Sequence, residues 1–122
     1  MKVLVTGGCG FIGSNFIKYL FSNPEIQKDI SVINVDKITY AGSGKNIDHL
    51  NISSNKNYLF IKEDICNKKE IDSILSEHKP EIIFNFAAES HVDRSISDSD
   101  NFEKSNFIGA CNILKSSLKH GI

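Results

Sequence analysis

Three apolar residues, Val3-Leu4-Val5, run directly into Thr6-Gly7-Gly8-Cys9-Gly10-Phe11-Ile12-Gly13, and helical spacing of apolar residues begins at once. This juncture constrains the fold more than any other part of the chain. A short apolar run bounded by glycines reads as a buried strand. Phe11, Ile12, Phe16, Ile17, Leu20 and Phe21 then give one face of a helix over Phe11–Phe21, which Ser22-Asn23-Pro24 ends. The turn satisfies two overlapping patterns, Gly8-x-Gly10-x-x-Gly13 and Gly7-x-x-Gly10-x-x-Gly13. One glycine permits the tight turn out of the strand, one lets backbone approach a pyrophosphate with no Cβ between, and one lets helix and strand pack closely. The helix N-terminus offers free N–H groups and a positive dipole end to such an anion.

The remaining pattern alternates. Ile30–Val35 reads as a second strand closed by Asp36, and Thr39–Asn55 as a long polar loop with one helical turn near Asn46–Leu50. Tyr58–Ile61 is a third strand. Ile71, Ile74 and Leu75 predict a helix over Lys68–His78 with Asn67 as its N-cap, closed by Lys79-Pro80. Ile82–Phe86 is a fourth strand, Ala87–Asp100 a loop or irregular helix, and Phe102–Leu118 a last helix ending near Gly121. Strands alternating with helices predict an α/β domain with a parallel, doubly wound, Rossmann-like sheet and helices on both faces. Right-handed crossovers favour the strand order 3-2-1-4. A dinucleotide-binding domain of this type has about six strands. The expectation is therefore one domain over residues 1–122 that holds the N-terminal part of such a sheet, with strand 4 at an unfinished edge.

Composition sets bounds and adds little. The chain has 122 residues, 40% hydrophobic and 24% charged, with formal net charge −1. That is enough for one buried core, and it gives no bulk attraction to nucleic acid or an anionic membrane. Cys9, Cys66 and Cys111 are far apart and form no CxxC pair, so neither a metal site nor a disulfide framework is expected. Such thiols fit a reducing cytoplasm, and no apolar run is long enough for a signal peptide or a membrane span.

Asp36 follows Gly13 by 23 residues and ends the second strand, where an acid binds the adenosine ribose in this fold. Its carboxylate accepts from ribose hydroxyls and repels a 2′-phosphate, which predicts NAD over NADP; the adjacent Lys37 softens that preference. Asp64-Ile65 follows the third strand. Asp64 there either accepts from an adenine amino group, with Ile65 over the ring, or simply caps the next helix. The segment Asn85–Ile96 leaves the fourth strand at its C-terminal end, where open sheets bind ligands. Ala87 and Ala88 let backbone pass close to a cofactor, and Glu89, Ser90, His91, Asp93 and Arg94 follow. Taken singly, each remains open: His91 as proton-transfer group or structural or solvated loop residue, Asp93 and Arg94 as ion pair or helix cap rather than catalysts, Glu89 as a carboxylate that beside a nicotinamide ribose must be solvated or paired, and Ser90 as ligand contact or turn cap.

Four blocks carry a resemblance. They are Thr6 to Asn15, Val35-Asp36-Lys37-Ile38-Thr39-Tyr40-Ala41-Gly42, Asp64-Ile65, and Ala87-Ala88-Glu89-Ser90-His91-Val92-Asp93-Arg94-Ser95-Ile96. Together they resemble the dTDP-glucose 4,6-dehydratases of the extended short-chain dehydrogenase/reductase family, in order and along essentially the whole chain. The resemblance implies bound NAD, with Gly7, Gly10, Phe11, Ile12 and Gly13 at the pyrophosphate turn. It implies Asp36, Lys37, Ile38 and Thr39 around the adenosine ribose, and Asp64 and Ile65 beside the adenine. It implies Phe86, Ala87, Ala88, Glu89 and Ser90 along the nicotinamide-side ribose, with Ser90 also near the sugar nucleotide, and Ser105 beside the cofactor, followed by Asn106. Cys9 and Ala110 depart from the residues usual in the family.

The implied reaction takes a hydride from sugar C4 to NAD, eliminates water across C5–C6 and returns the hydride to C6. It uses a Tyr-x-x-x-Lys pair and a Thr-Asp-Glu cluster. Only Tyr58, on the third strand, has a basic residue four positions later, Lys62. The expectation is that this chain holds the cofactor portion, that it has no catalytic residue and no turnover of its own, and that the full-length protein is a cytoplasmic homodimer acting on dTDP-glucose. The competing readings are a related epimerase or decarboxylase, or a non-catalytic NAD-binding module.

Overall fold

The computed structural model describes residues 1–39, 46, 52–89 and 102–122. The strands are β1 (Lys2–Thr6), β2 (Ser31–Asp36), β3 (Tyr58–Lys62) and β4 (Ile82–Asn85). The helices are α1 (Phe11–Ser22), α2 (Lys68–His78) and α3 (Ala110–His120), the last preceded by a π-helical stretch, Lys104–Gly109. The sheet order is β3-β2-β1-β4 with every pairing parallel, as the alternation predicts.

Residues on β1 point alternately to two cores. Val3 and Val5 face α1, where Ile17, Leu20, Ile30 and Val32 pack against them. Phe16 of α1 lies 4.6 Å from the Phe84 ring and 5.2 Å from Phe86, so the same face reaches across to β4. Leu4 points the other way, into a cluster with Ile33, Val35, Ile71, Ile74, Leu75 and Ile113 under α2 and α3. Both faces of β1 and β2 are thus covered, which is why these strands read as continuous apolar runs.

Several details depart from expectation. β2 starts and ends one residue later than the apolar run, because the pairs Lys2↔Ser31 and Asp36↔Lys62 carry the ladder to Asp36. β4 stops at Asn85, although the Phe86 N–H still donates to Thr6 O at 3.0 Å. Asn67 sits at the N-cap of α2 but its side chain makes no capping bond. Its amide donates instead to Glu63 Oε1 at 3.4 Å.

The last helix is not uniform. Gly109 packs onto Ile65 so closely that a Cβ there would lie 2.5 Å from Ile65 Cδ1, and the wide π turn sits over this contact. Of the helical turn expected near Asn46–Leu50, only Asn46 falls within the described residues. Ala87–Glu89 leave β4 as irregular backbone, and the rest of the expected loop to Asp100 lies outside the described residues.

Candidate functional site

All four strands run parallel, so their C-terminal ends share one rim. The chain builds β1, β2 and β3 in one direction and then places β4 on the other side of β1. The crevice at such a reversal is where open α/β sheets take ligands. A cavity lies there, lined by the glycine turn, the ends of β2, β3 and β4, and the start of the π-helical stretch.

The turn is built for close approach. Gly7 has φ 68°, and a Cβ on it would lie 2.5 Å from the Ala87 backbone nitrogen. A Cβ on Gly13 would lie 2.3 Å from Gly7 O. These two glycines are therefore demanded by the protein's own packing. Gly10 is different. Its backbone is extended (φ −75°, ψ 174°), and among the described residues a Cβ there would meet Gly7 O, at 3.3 Å. That contact is looser than the clashes at Gly7 and Gly13, and Gly10 lines the cavity.

α1 begins at the same point. The first bond of its ladder runs from Ser14 N–H to Gly10 O, so the N–H groups of Phe11, Ile12 and Gly13 precede it. Among the described residues no side chain caps this end, and its first turn carries no acid. An anion is the natural complement. The side chains of Phe11 and Ile12 are largely exposed, so their part in the turn is through backbone.

Asp36 pins the turn from β2. Its Oδ2 accepts the Cys9 N–H at 2.9 Å, and its Oδ1 accepts the Ile38 N–H at 2.7 Å. The side-chain amide of Asn46 donates to Cys9 O at 2.8 Å from the other side. Its spacing from Gly13 marks Asp36 as a ribose acceptor; the structure adds that one lone pair on each oxygen already serves the backbone, leaving the others for a ligand. Lys37, Thr39 and Val35 complete this wall, while Ile38, at φ 52°, turns half out to solvent.

The third-strand side carries Glu63, Asp64 and Ile65. Asp64 Oδ1 accepts the Cys66 N–H at 2.9 Å, so this acid does close a local turn, and its Oδ2 lies 3.7 Å from Lys37 Nζ. Burial, and then the Asp64 carboxylate, push the Cys66 thiol up. It stays protonated at neutral pH, in contact with Lys104 O at 3.2 Å. On the fourth-strand side, Thr6 Oγ1 bonds Asn85 Oδ1 and also accepts the Ala87 N–H at 3.3 Å, tying β1 to the β4 exit. Phe86, Ala87, Ala88 and Glu89 follow along the cavity.

Asn106 then clamps this segment. Its Oδ1 accepts the Glu89 N–H at 2.8 Å, and its Nδ2 donates to Glu89 O at 2.9 Å. Ser105, 4% exposed, places its hydroxyl 3.0 Å from Lys37 Nζ.

The structure thus brings Gly7, Gly10, Asp36, Lys37, Thr39, Asp64, Ile65, Phe86, Ala87, Ala88, Glu89 and Ser105 to one cavity. Phe11, Ile12, Gly13 and Ile38 lie beside it and do not line it. Ser90 lies outside the described residues, as do His91, Asp93 and Arg94. Sequence reasoning passed over Val35 and Glu63, whose signal was adjacency to Asp36 and Asp64 at strand ends. Tyr58 points away: Asn34 Nδ2 donates to its hydroxyl at 2.8 Å, on the α1 side of the sheet. Among the described residues no helix is long and apolar enough to cross a membrane.

A parallel sheet of order 3-2-1-4, a glycine turn opening an uncapped helix, and an acid at the end of β2 define a Rossmann-type nucleotide-binding fold. The chain belongs to the family described as GDP-mannose 4,6 dehydratase, whose model matches residues 4–122. It is 42% identical over 120 residues to a dTDP-glucose 4,6-dehydratase of Escherichia coli, covering 98% of this chain and 32% of that protein. It is 40% identical over 114 residues to the enzyme of the same name from Neisseria meningitidis, covering 93% and 30%. The chain therefore spans about a third of the length of the curated relatives it matches.

Among solved structures, the dTDP-glucose 4,6-dehydratase DesIV from Streptomyces venezuelae, determined with NAD bound, matches with TM-score 0.89 and 35% identity. That match covers all of this chain and 37% of DesIV. A UDP-glucose 4-epimerase from Thermotoga maritima matches with TM-score 0.83 and 34% identity, over all of this chain and 35% of that one.

Proposed function

We propose that this chain is the NAD-binding portion of a dTDP-glucose 4,6-dehydratase, a lyase that converts dTDP-glucose to its 4-keto-6-deoxy product by internal hydride transfer and loss of water. The observation that carries the reading is Gly10, which lines the cavity at the uncapped end of α1, where among the described residues a Cβ would meet Gly7 O at 3.3 Å. Phosphate against that helix end fits the pattern. NAD, when bound, supplies the hydride acceptor and donor.

The residues divide by position. The backbone of Gly7, Gly10, Phe11, Ile12 and Gly13 would hold the pyrophosphate. Asp36, Lys37, Ile38 and Thr39 would surround the adenosine ribose, and Asp64 and Ile65 the adenine. Phe86, Ala87, Ala88, Glu89, Ser90 and Ser105 would line the nicotinamide half, with Ser90 also toward the sugar nucleotide. Residues 1–122 would then form one cofactor domain, and the whole protein a cytoplasmic homodimer. A 4-epimerase is the second reading, favoured by the fold shared with the Thermotoga enzyme. Identities near 40% to several dehydratases favour the first.

Calorimetric titration of the chain with NAD and with NADP tests the cofactor assignment. The expected result is NAD binding at least about tenfold tighter than NADP, since the 2′-phosphate meets the Asp36 carboxylate and tenfold is only ~1.4 kcal/mol. Equal or reversed preference overturns it.

A further inference from the structure

The cavity has a volume of about 80 Å³. Sites that enclose a small molecule run to roughly 300–1,000 Å³, so the space left between the described lining residues is small for a nucleoside. One side chain crosses the opening. Lys37 leaves the end of β2, and its Nζ lies 3.7 Å from Asp64 Oδ2 after β3, 3.7 Å from Glu89 Oε1 after β4, and 3.0 Å from Ser105 Oγ in the π-helical stretch. These three groups belong to opposite sides of the β1–β2 pair, so the ammonium joins both walls of the crevice. The local backbone aims it there. Asp36 Oδ1 accepts the Ile38 N–H and closes a tight turn around Lys37, at the expense of holding the β-branched Ile38 at φ 52°. Electrostatics favour the same position. Asp36, Glu63, Asp64 and Glu89 all line the cavity, and Lys37 is the one cation among the described lining residues.

The geometry points to Lys37 as a strap across the nucleotide cleft, which the adenosine half of a dinucleotide displaces from Asp64, Glu89 and Ser105 on entry. This rests on the NAD reading above and adds a kinetic barrier to it. A lysine that merely contacts bound cofactor predicts the opposite behaviour in two measurements.

The first is site-resolved reductive methylation of the full chain, read by mass spectrometry. Without nucleotide, Lys37 should react several-fold more slowly than the exposed Lys18 and Lys56, and saturating NAD should speed its reaction. Further protection by NAD overturns the strap, and so does a Lys37 as reactive as Lys18 from the start. The second is NAD association by stopped flow for Lys37→Met. The strap predicts several-fold faster association. Unchanged association with faster release overturns it. If wild type fails to bind NAD while Lys37→Met binds, the strap is supported in its strongest form. If neither binds, the dinucleotide reading fails, and the protection of Lys37 relative to Lys18 and Lys56 alone decides the strap.

Discussion

The three motif glycines divide into two kinds, and substitution separates them. Alanine at Gly7 must adopt positive φ and push a Cβ into the Ala87 backbone. The left-handed conformation costs a non-glycine residue about 1–2 kcal/mol and overpacking a further ~1–3 kcal/mol. Gly7→Ala should therefore lose roughly 2–5 kcal/mol in urea denaturation, or fail to fold. Gly10→Ala keeps an extended N-cap conformation open to any residue, so its stability should fall by less than about 1 kcal/mol. Its NAD affinity, in contrast, should drop at least tenfold by calorimetry, because on the proposed reading the new methyl meets the pyrophosphate. Equal effects of the two substitutions would remove Gly10 as the observation that carries the cofactor assignment. Asp36 illustrates the limit of sequence reading at this scale. Its spacing from Gly13 marks a ribose acid, yet nothing in the spacing reveals that the same carboxylate holds the Cys9 N–H at 2.9 Å. Hydrogen bonds to a charged acceptor contribute about 1.5–3 kcal/mol. Asp36→Ala should thus cost stability as well as binding, so loss of NAD binding in that variant alone proves little.

At the level of elements, the glycine turn, the four strands and α2 were legible because their signals are local: apolar period, glycine spacing and Lys79-Pro80 at the helix end. The last helix was legible only as a helix. Its apolar spacing suggests a packed face, yet Leu114 and Leu118 are exposed while Asn112 and Ser116 are buried. Asn112 Nδ2 donates to Ile65 O at 3.1 Å and Cys66 O at 3.0 Å, a partnership set by tertiary position that no periodicity encodes. The Asn106 clamp on Glu89 is of the same kind. Asn106→Ala should unpair the Glu89 N–H and raise its hydrogen-exchange rate, while amides in β1 keep theirs; unchanged exchange at Glu89 would show that the clamp does not order the β4 exit.

The docking of α2 on α3 has a pH signature as well. Asp72 Oδ2 receives Lys68 Nζ and Lys119 Nζ, each at 3.0 Å, and Oδ1 lies 3.7 Å from His120 Nε2. The Ser116 hydroxyl, which faces the carboxylate outside strict hydrogen-bond geometry, together with these two ammoniums holds Asp72 well below the usual carboxylate range. The two direct ammonium contacts are the firmer cause. The folded value is the lower one, so the contribution is complete above the unfolded pKa of about 4 and is lost as pH falls below it. Melting temperature should fall from pH 5 to pH 3 more steeply for wild type than for Asp72→Asn, and added salt should shrink the difference, since both lysines are half exposed. Parallel pH profiles would sink the assignment.

For the molecule as a whole, holding NAD and turning over sugar nucleotide are separable, and each has its own test. Hydride removal from a sugar carbon leaves a hydroxyl that must lose its proton to a nearby base. Of the tyrosines in the described residues, Tyr19 is half exposed on α1 and the Tyr58 hydroxyl oxygen accepts from the Asn34 side-chain amide, on the side of the sheet opposite α2 and α3. The acids of the cleft are engaged too: Asp36 with backbone N–H groups, Asp64 and Glu89 with Lys37. Among the described residues the one cation lining the cavity, Lys37, is taken up by Asp64, Glu89 and Ser105. On the proposed reading as a cofactor portion, the chain should bind NAD and, when given dTDP-glucose, produce neither the 4-keto-6-deoxy sugar nor a rise in absorbance at the reduced-nicotinamide band. The same assay on a longer protein that carries a Tyr-x-x-x-Lys pair should give product with NAD returned to its oxidised form each cycle. Product from the 122-residue chain would mean that a proton acceptor stands among its own residues, and the division between cofactor portion and catalytic portion would have to be abandoned.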